Sequence, residues 1–279
     1  MNLLVVYDTK IVECNHIIEV YKYEKAIKGK QLTPGNDKKS REKTQEVIED
    51  NVRRSLTRTR QNLRNLINCN FDNNTSFLTL TFAKNIIHVE QANYEFKKFK
   101  QKLQRIYEKK GKKLKYVGVI EFQDGKKYID KNGDIKKGIG RGAIHYHLLL
   151  FDSPYIDFKV IGEAWGNGFI SINKCDDIDN MGAYLVKYMG KDILDPRLLG
   201  KKKYFASYKT LNKPKIYRIS FNLDIENLYP KKNIVTKYDK AIINGGYENK
   251  VTYIQYNLKR ENNQYERVNR EDYGRKTYI

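Results

Sequence analysis

The chain has 279 residues, with 54 Lys and Arg against 33 Asp and Glu, a net charge of +21 at neutral pH. Such an excess favours a polyanionic partner, because each neutralised phosphate releases condensed counterions; charge alone leaves DNA and RNA equally open. No apolar run approaches the roughly 20 residues of a membrane span. The N-terminal stretch lacks the charged and long apolar regions of a signal peptide, and the three cysteines, Cys14, Cys69 and Cys175, form no CxxC pair. A zinc ribbon is thereby disfavoured, and a reducing, cytoplasmic setting is expected.

In chain order, residues 1–25 alternate as strands do, in LLVVY and IIEVYKY, and 26–39 read as a polar linker with a Pro34-Gly35 turn. Ser40 to Asn68 predicts a helix with Val47, Val52, Leu56, Leu63 and Leu66 as apolar positions. Arg53, Arg54, Arg58, Arg60 and Arg64 make it basic, either a wall for nucleic acid or a solvated helix face. Phe77–Phe82 reads as a strand, Glu90–Lys109 as a helix with Tyr94, Phe96, Phe99, Leu103 and Ile106 turned inward, and Tyr116–Phe122 as a strand. A turn-rich insertion follows, with a hairpin tip at Asn132-Gly133. Ala143–Phe151 is a strand, Asp157–Trp165 a helix, Phe169–Ile172 a strand and Asp176–Lys191 a helix. Beyond Pro214 the sequence is tyrosine-rich and irregular, with one strand expected at Lys250–Leu258. The pattern predicts an α+β fold, a β-sheet with helices packed on it. No GxxxxGK[ST] occurs, so a P-loop motor is not expected.

The sharpest local feature is Ile144-His145-Tyr146-His147-Leu148. Only 4 His occur in the chain, and two of them stand here. Residues two apart on a strand share a face, so two imidazoles lie side by side with Tyr146 on the other side. They are a natural ligand pair for a divalent metal; two half-buried histidines on a sheet are the plainer reading. Gly140, Gly142 and Ala143 allow close backbone approach before this strand. Glu121 on the preceding strand is the candidate third ligand if the two strands pair antiparallel, with Asp124 as runner-up. A carboxylate there suits Mg²⁺ or Mn²⁺.

In Ala183-Tyr184-Leu185-Val186-Lys187-Tyr188-Met189-Gly190-Lys191, a helix stacks Tyr184 on Tyr188 and Lys187 on Lys191, in adjacent stripes. A phenol with its pKa near 10 is a poor nucleophile unless a cation or a polarised phosphate assists it. An aromatic stripe packed into the core is the competing reading, the stronger one for this segment alone in a chain with 22 Tyr.

Taken together, FLTLTFA at 77–83, GAIHYHLLLF at 142–151 and AYLVKYMGKD at 183–192 resemble, in order and spacing, the HUH endonuclease superfamily, and most closely the rolling-circle replication initiators of plasmids and phages. IGEAWG at 161–166 and YFAS at 204–207 are similar to that branch too. The resemblance spans roughly Phe77 to Pro214. It departs from the pattern at Tyr146, where a small aliphatic is usual, and in the long 124–141 insertion. It implies a central antiparallel sheet with a metal held on one face by His145, His147 and Glu121. It also implies Tyr184 as first and Tyr188 as second nucleophile, with Lys187 and Lys191 beside them. The implied reaction nicks single-stranded or hairpin origin DNA, leaves a 5′-phosphotyrosine, and hands a 3′-OH to a host polymerase, with a host helicase unwinding. The regions implied are 1–39 (strands and linker), 40–214 (nicking domain with its basic helix at 40–68) and 215–279 (an extension without assigned role). A relaxase or transposase of the same chemistry, a non-catalytic nucleic-acid-binding protein, and a phosphodiesterase using water are the alternatives.

Overall fold

The computed structural model describes residues 6–28, 45–125, 127–129, 135–137, 140–175, 195–198, 200–220, 224–244 and 247–259. The fold is α+β, built on two five-stranded antiparallel sheets. Strands β1 (Val6–Cys14) and β2 (Ile17–Lys28) precede helix α1 (Gln45–Asn68). Then come β3 (Ser76–Thr81), α2 (Val89–Lys109), β4 (Lys115–Gln123), a small hairpin β5 (Lys127–Ile129) and β6 (Ile135–Lys137), β7 (Ala143–Phe151), α3 (Phe158–Trp165), β8 (Ile170–Lys174) and β9 (Phe205–Ala206). Strands β10 (Lys215–Ile219), β11 (Ile234–Asn244) and β12 (Tyr247–Asn257) complete the chain. It divides into two compact units, Ser40–Lys213 and a second made of Met1–Lys39 with Pro214–Ile279.

The second unit joins the two flanks of the chain in one sheet of order β10-β1-β2-β12-β11. Ile11, Ile18, Val20, Ile254 and Tyr256 form its core, with Ile225 from a one-turn helix. Strand β12 takes the place expected for Lys250–Leu258. Strands β10 and β11, in a stretch read as irregular, are a correction. Both are sheet edges, and edge strands carry charges that a central strand cannot. KIYRI and IVTKYDKAIIN therefore lack the clean apolar alternation by which a strand is recognised.

The larger unit has the sheet order β8-β3-β7-β4-β9. One face carries Leu78, Leu80, Ile120, Phe122, Ile144, Tyr146, Leu148 and Leu150, sealed by α2 and α3. On α2 the buried stripe is Ala92, Phe96, Phe99, Leu103 and Tyr107, the 3.6-residue period of an amphipathic helix. Tyr94, expected inside, is exposed, because two residues of helix turn it about 200° from Phe96. Its ring instead lies under the Lys98 ammonium, 4.2 Å away. Helix α3 starts at Asp157, whose carboxylate accepts the Lys159 amide at 2.7 Å, and ends at Gly166 in the left-handed conformation.

The other face is divided. At one end Val117, Leu149 and Phe151 are covered by Leu63, Leu66 and Ile67 of α1. Among the described side chains, burial on α1 begins at Leu56, and Val47 and Val52 are exposed, contrary to the apolar reading of the helix's first half. The apolar cluster on this face takes side chains from only the later turns of α1. At the other end the face is polar, and there the candidate site lies.

Candidate metal centre

Register places the site. Strand β7 lies between β3 and β4, and both pairings are antiparallel. His145 stands opposite Thr81 on one side and Glu121 on the other; His147 stands opposite Thr79 and Val119. Directly opposed residues share a face with Cβ atoms about 5 Å apart. Glu121 and His145, separated in sequence by the long insertion, are thus cross-strand neighbours. The ligand atoms of Glu121, His145 and His147 all lie within 4.8 Å of one another, the one such group among the described residues.

The geometry within the group is specific. His147 Nε2 is 2.5 Å from Glu121 Oε2, and its Nδ1 is 3.1 Å from the Thr79 hydroxyl. The Phe77 ring stacks on the imidazole, with centroids 5.5 Å apart and planes within 12°. With Nδ1–H donating to Thr79, Nε2 presents its lone pair toward Glu121; a hydrogen-bonded second nitrogen is what fixes the tautomer of a ligating histidine. Burial, and then the neighbouring His147, lower the His145 pKa below 6.5, against the opposing pull of Glu121. Its ring is therefore neutral at physiological pH, the form that binds metal. The Glu121 side chain is 45 % exposed, so the group opens to solvent.

Two imidazoles and one carboxylate, open on one side, fit a divalent cation that keeps further positions for water or phosphate oxygen. On the reverse face Tyr146 is buried, stacked on Phe96 at 4.5 Å, and its hydroxyl donates to Asn93 at 2.8 Å. Burial raises its pKa strongly, so it is no nucleophile. Asp124 is not in the group. It takes a two-point contact from Arg197, whose guanidinium also holds Asp195 and lies 3.7 Å over the Phe122 ring. Gly140 packs directly on Gly125 and Asp124, where a Cβ would meet backbone, in keeping with the close approach expected before β7.

The tyrosine segment, with Tyr184, Lys187, Tyr188 and Lys191, lies outside the described residues, as does the Asn132-Gly133 tip. On α1, Arg53 and Arg54 both pair with Asp50, Arg58 is exposed, and Arg60 and Arg64 are half-buried. Sequence reasoning did not find Thr79, Phe77 or Arg197. A signal for Thr79 existed, because the alternation in LTLT sets two threonines on one face. Nor did it find a cleft of about 380 Å³ at the β9 edge, lined by Lys100, Lys202, Lys203, Tyr204 and Tyr208 with no acidic residue. Lysines beside exposed tyrosines offer phosphate and base contacts together.

Residues 75–193 match the family of replication-associated proteins of the ORF2 type. The match begins just before β3, takes in Glu121, His145 and His147, and runs through the tyrosine segment. It supports a role in DNA replication. No curated protein and no solved structure matches the chain. Among the described residues no helix is long and apolar enough to cross a membrane.

Proposed function

We propose that the chain is a metal-dependent, site-specific DNA strand-nicking and strand-transferring enzyme of the HUH type that initiates rolling-circle replication. The observation that carries this reading is the convergence of Glu121, His145 and His147 on one open sheet face, within the stretch that matches replication-associated proteins. These three residues would hold Mg²⁺ or Mn²⁺. A bound divalent cation supplies Lewis-acid polarisation of a phosphate oxygen.

The other steps belong to the chain. Thr79 and Phe77 hold the His147 ring in place. Tyr184 is the first nucleophile: its phenolic oxygen bonds to phosphorus, the bond from phosphorus to the 3′ oxygen breaks, and the phenol's proton leaves to solvent as the 3′ oxygen gains one. The phosphotyrosine keeps the ester energy, so rejoining needs no ATP. Tyr188 serves the second transfer, and Lys187 and Lys191 offset negative charge at the phosphate. The lysine-rich cleft at β9 and the arginines of α1 (Arg53, Arg54, Arg58, Arg60 and Arg64) supply phosphate contacts along the strand. Unwinding and synthesis fall to a host helicase and a host DNA polymerase.

The test is incubation of the protein with single-stranded DNA of its replication origin and Mn²⁺, followed by a denaturing gel. A covalent protein–DNA band whose adduct peptide contains Tyr184 is the expected result. Free cleaved DNA with no protein attached would point to hydrolysis by water and overturn the reading.

A further inference from the structure

We infer that Phe169 is a stacking platform for a nucleobase of the substrate strand beside the Glu121–His145–His147 group, a base-binding subsite formed by the loop between α3 and β8. The inference rests on the reading of the site as a DNA-processing centre.

The position follows from register. Ile170 pairs with Leu80 and packs with it on the apolar core, while Ser171 pairs with Thr79 on the opposite face. The Thr81 amide donates to the Phe169 carbonyl at 2.9 Å, which sets Phe169 opposite Thr81, itself opposite His145. Alternation along the strand then puts the Phe169 side chain on the face of Thr81, His145 and Glu121, in one row across the sheet. Two strand spacings, roughly 10 Å, separate it from the His145 column.

The loop that carries it is held firmly. The Thr81 hydroxyl also donates to the Phe169 carbonyl at 3.0 Å. The Ala83 amide donates to the Asn167 carbonyl at 2.8 Å, and the Trp165 indole donates to the Thr81 carbonyl at 2.8 Å. Gly168 sits so close that a Cβ would meet the Thr81 oxygen at 2.4 Å, at a φ of +157°. Gly166 turns the chain out of α3 in the left-handed conformation. On this pinned backbone the Phe169 ring is 81 % exposed.

A single exposed aromatic is ordinary on a protein surface. Tyr155, for example, is as exposed, but it follows β7 at the opposite end of the sheet from Glu121 and His145. What sets Phe169 apart is its row and its fixed backbone. A ring that needs little ordering on contact offers a base a preformed partner, and stacking does not depend on which base is presented.

The experiment uses the full-length protein without added metal. Single-stranded origin oligonucleotides carry 2-aminopurine at successive positions around the nick. The wild-type protein is expected to quench one such position severalfold. Phe169→Leu should lose that quenching and bind roughly tenfold more weakly, and Phe169→Tyr should restore both. Because the side chain is exposed, melting of Phe169→Leu should match the wild type. Unchanged quenching and affinity in Phe169→Leu would overturn the inference. Failure of the covalent adduct with quenching intact would reject the nicking reading and leave the stacking subsite standing.

Discussion

Glu19 and Glu121 both lie on antiparallel strands, one in each sheet, and their surroundings are opposite. Glu19 is 1 % exposed and accepts hydrogen bonds from Tyr21 at 2.9 Å and Tyr253 at 3.2 Å. Nearby Lys10, its own pKa lowered by burial and by Arg218, is drawn the other way by Glu19. That carboxylate is surrounded by donors and sealed, which is how a buried charge becomes tolerable. Glu121 is close to half exposed and faces two imidazoles, which offer a metal their lone pairs. The comparison separates a carboxylate that completes a core from one placed to share a ligand.

Variants at the two places should behave differently, and the largest difference is expected in activity. His145→Ala/His147→Ala should abolish nicking, a loss on the order of a thousandfold or more, since polarisation by a metal is worth several kcal/mol. Chemical unfolding should be little changed, because both rings lie on the open face. Full nicking by this variant in metal-containing buffer would erase the distinction drawn between the two glutamates.

A direct exchange is the next test. Glu121→Gln should weaken Mn²⁺ binding and leave stability within about 0.5 kcal/mol, the ordinary range for an exposed change. Glu19→Ala should leave Mn²⁺ binding intact and cost about 1–3 kcal/mol, because buried hydroxyls lose their acceptor. Isothermal titration and urea unfolding of both variants read the two effects side by side.

Smaller effects sharpen the picture. Thr79→Val keeps the shape but removes the partner of His147 Nδ1. A tenfold to hundredfold loss of metal affinity is expected, roughly the usual cost of removing a ligand's supporting contact. Arg197 bears on stability alone. Its hydrogen bonds lower the Asp195 pKa below 3.8. A depressed folded-state pKa stabilises above the unfolded value, and this contribution is lost as pH falls through the folded value. The urea midpoints of wild type and Arg197→Ala should therefore differ at neutral pH and converge in acid, below the ordinary carboxylate range. Parallel curves down to strong acid would show that the Arg197–Asp195 pair contributes nothing.

Much of this was legible in the sequence, for identifiable reasons. The strand at 143–151 announced itself because His145 and His147 alternate with buried Ile144, Tyr146 and Leu148, so period two exposed both face and ligands. Glu121 could be proposed but not fixed, since the insertion hides which register β4 takes against β7. The pairing of the chain's two flanks was invisible: β1 and β2 contact β10 and β12 across more than half the sequence, and no local pattern encodes such a partner. Thr79 was passed over because a threonine in a strand is ordinary, and only the register makes it the neighbour of His147. Phe169 was read as the first residue of an ordinary strand; its exposure depends on how tightly Gly168 seats against Thr81.

The central claim is that Glu121, His145 and His147 form one divalent-metal site, and Mn²⁺ binding followed by electron paramagnetic resonance tests it most directly. The account predicts one tightly bound ion per chain, lost in His145→Ala/His147→Ala and kept in Glu19→Ala. Unchanged Mn²⁺ binding by the double-histidine variant would contradict it.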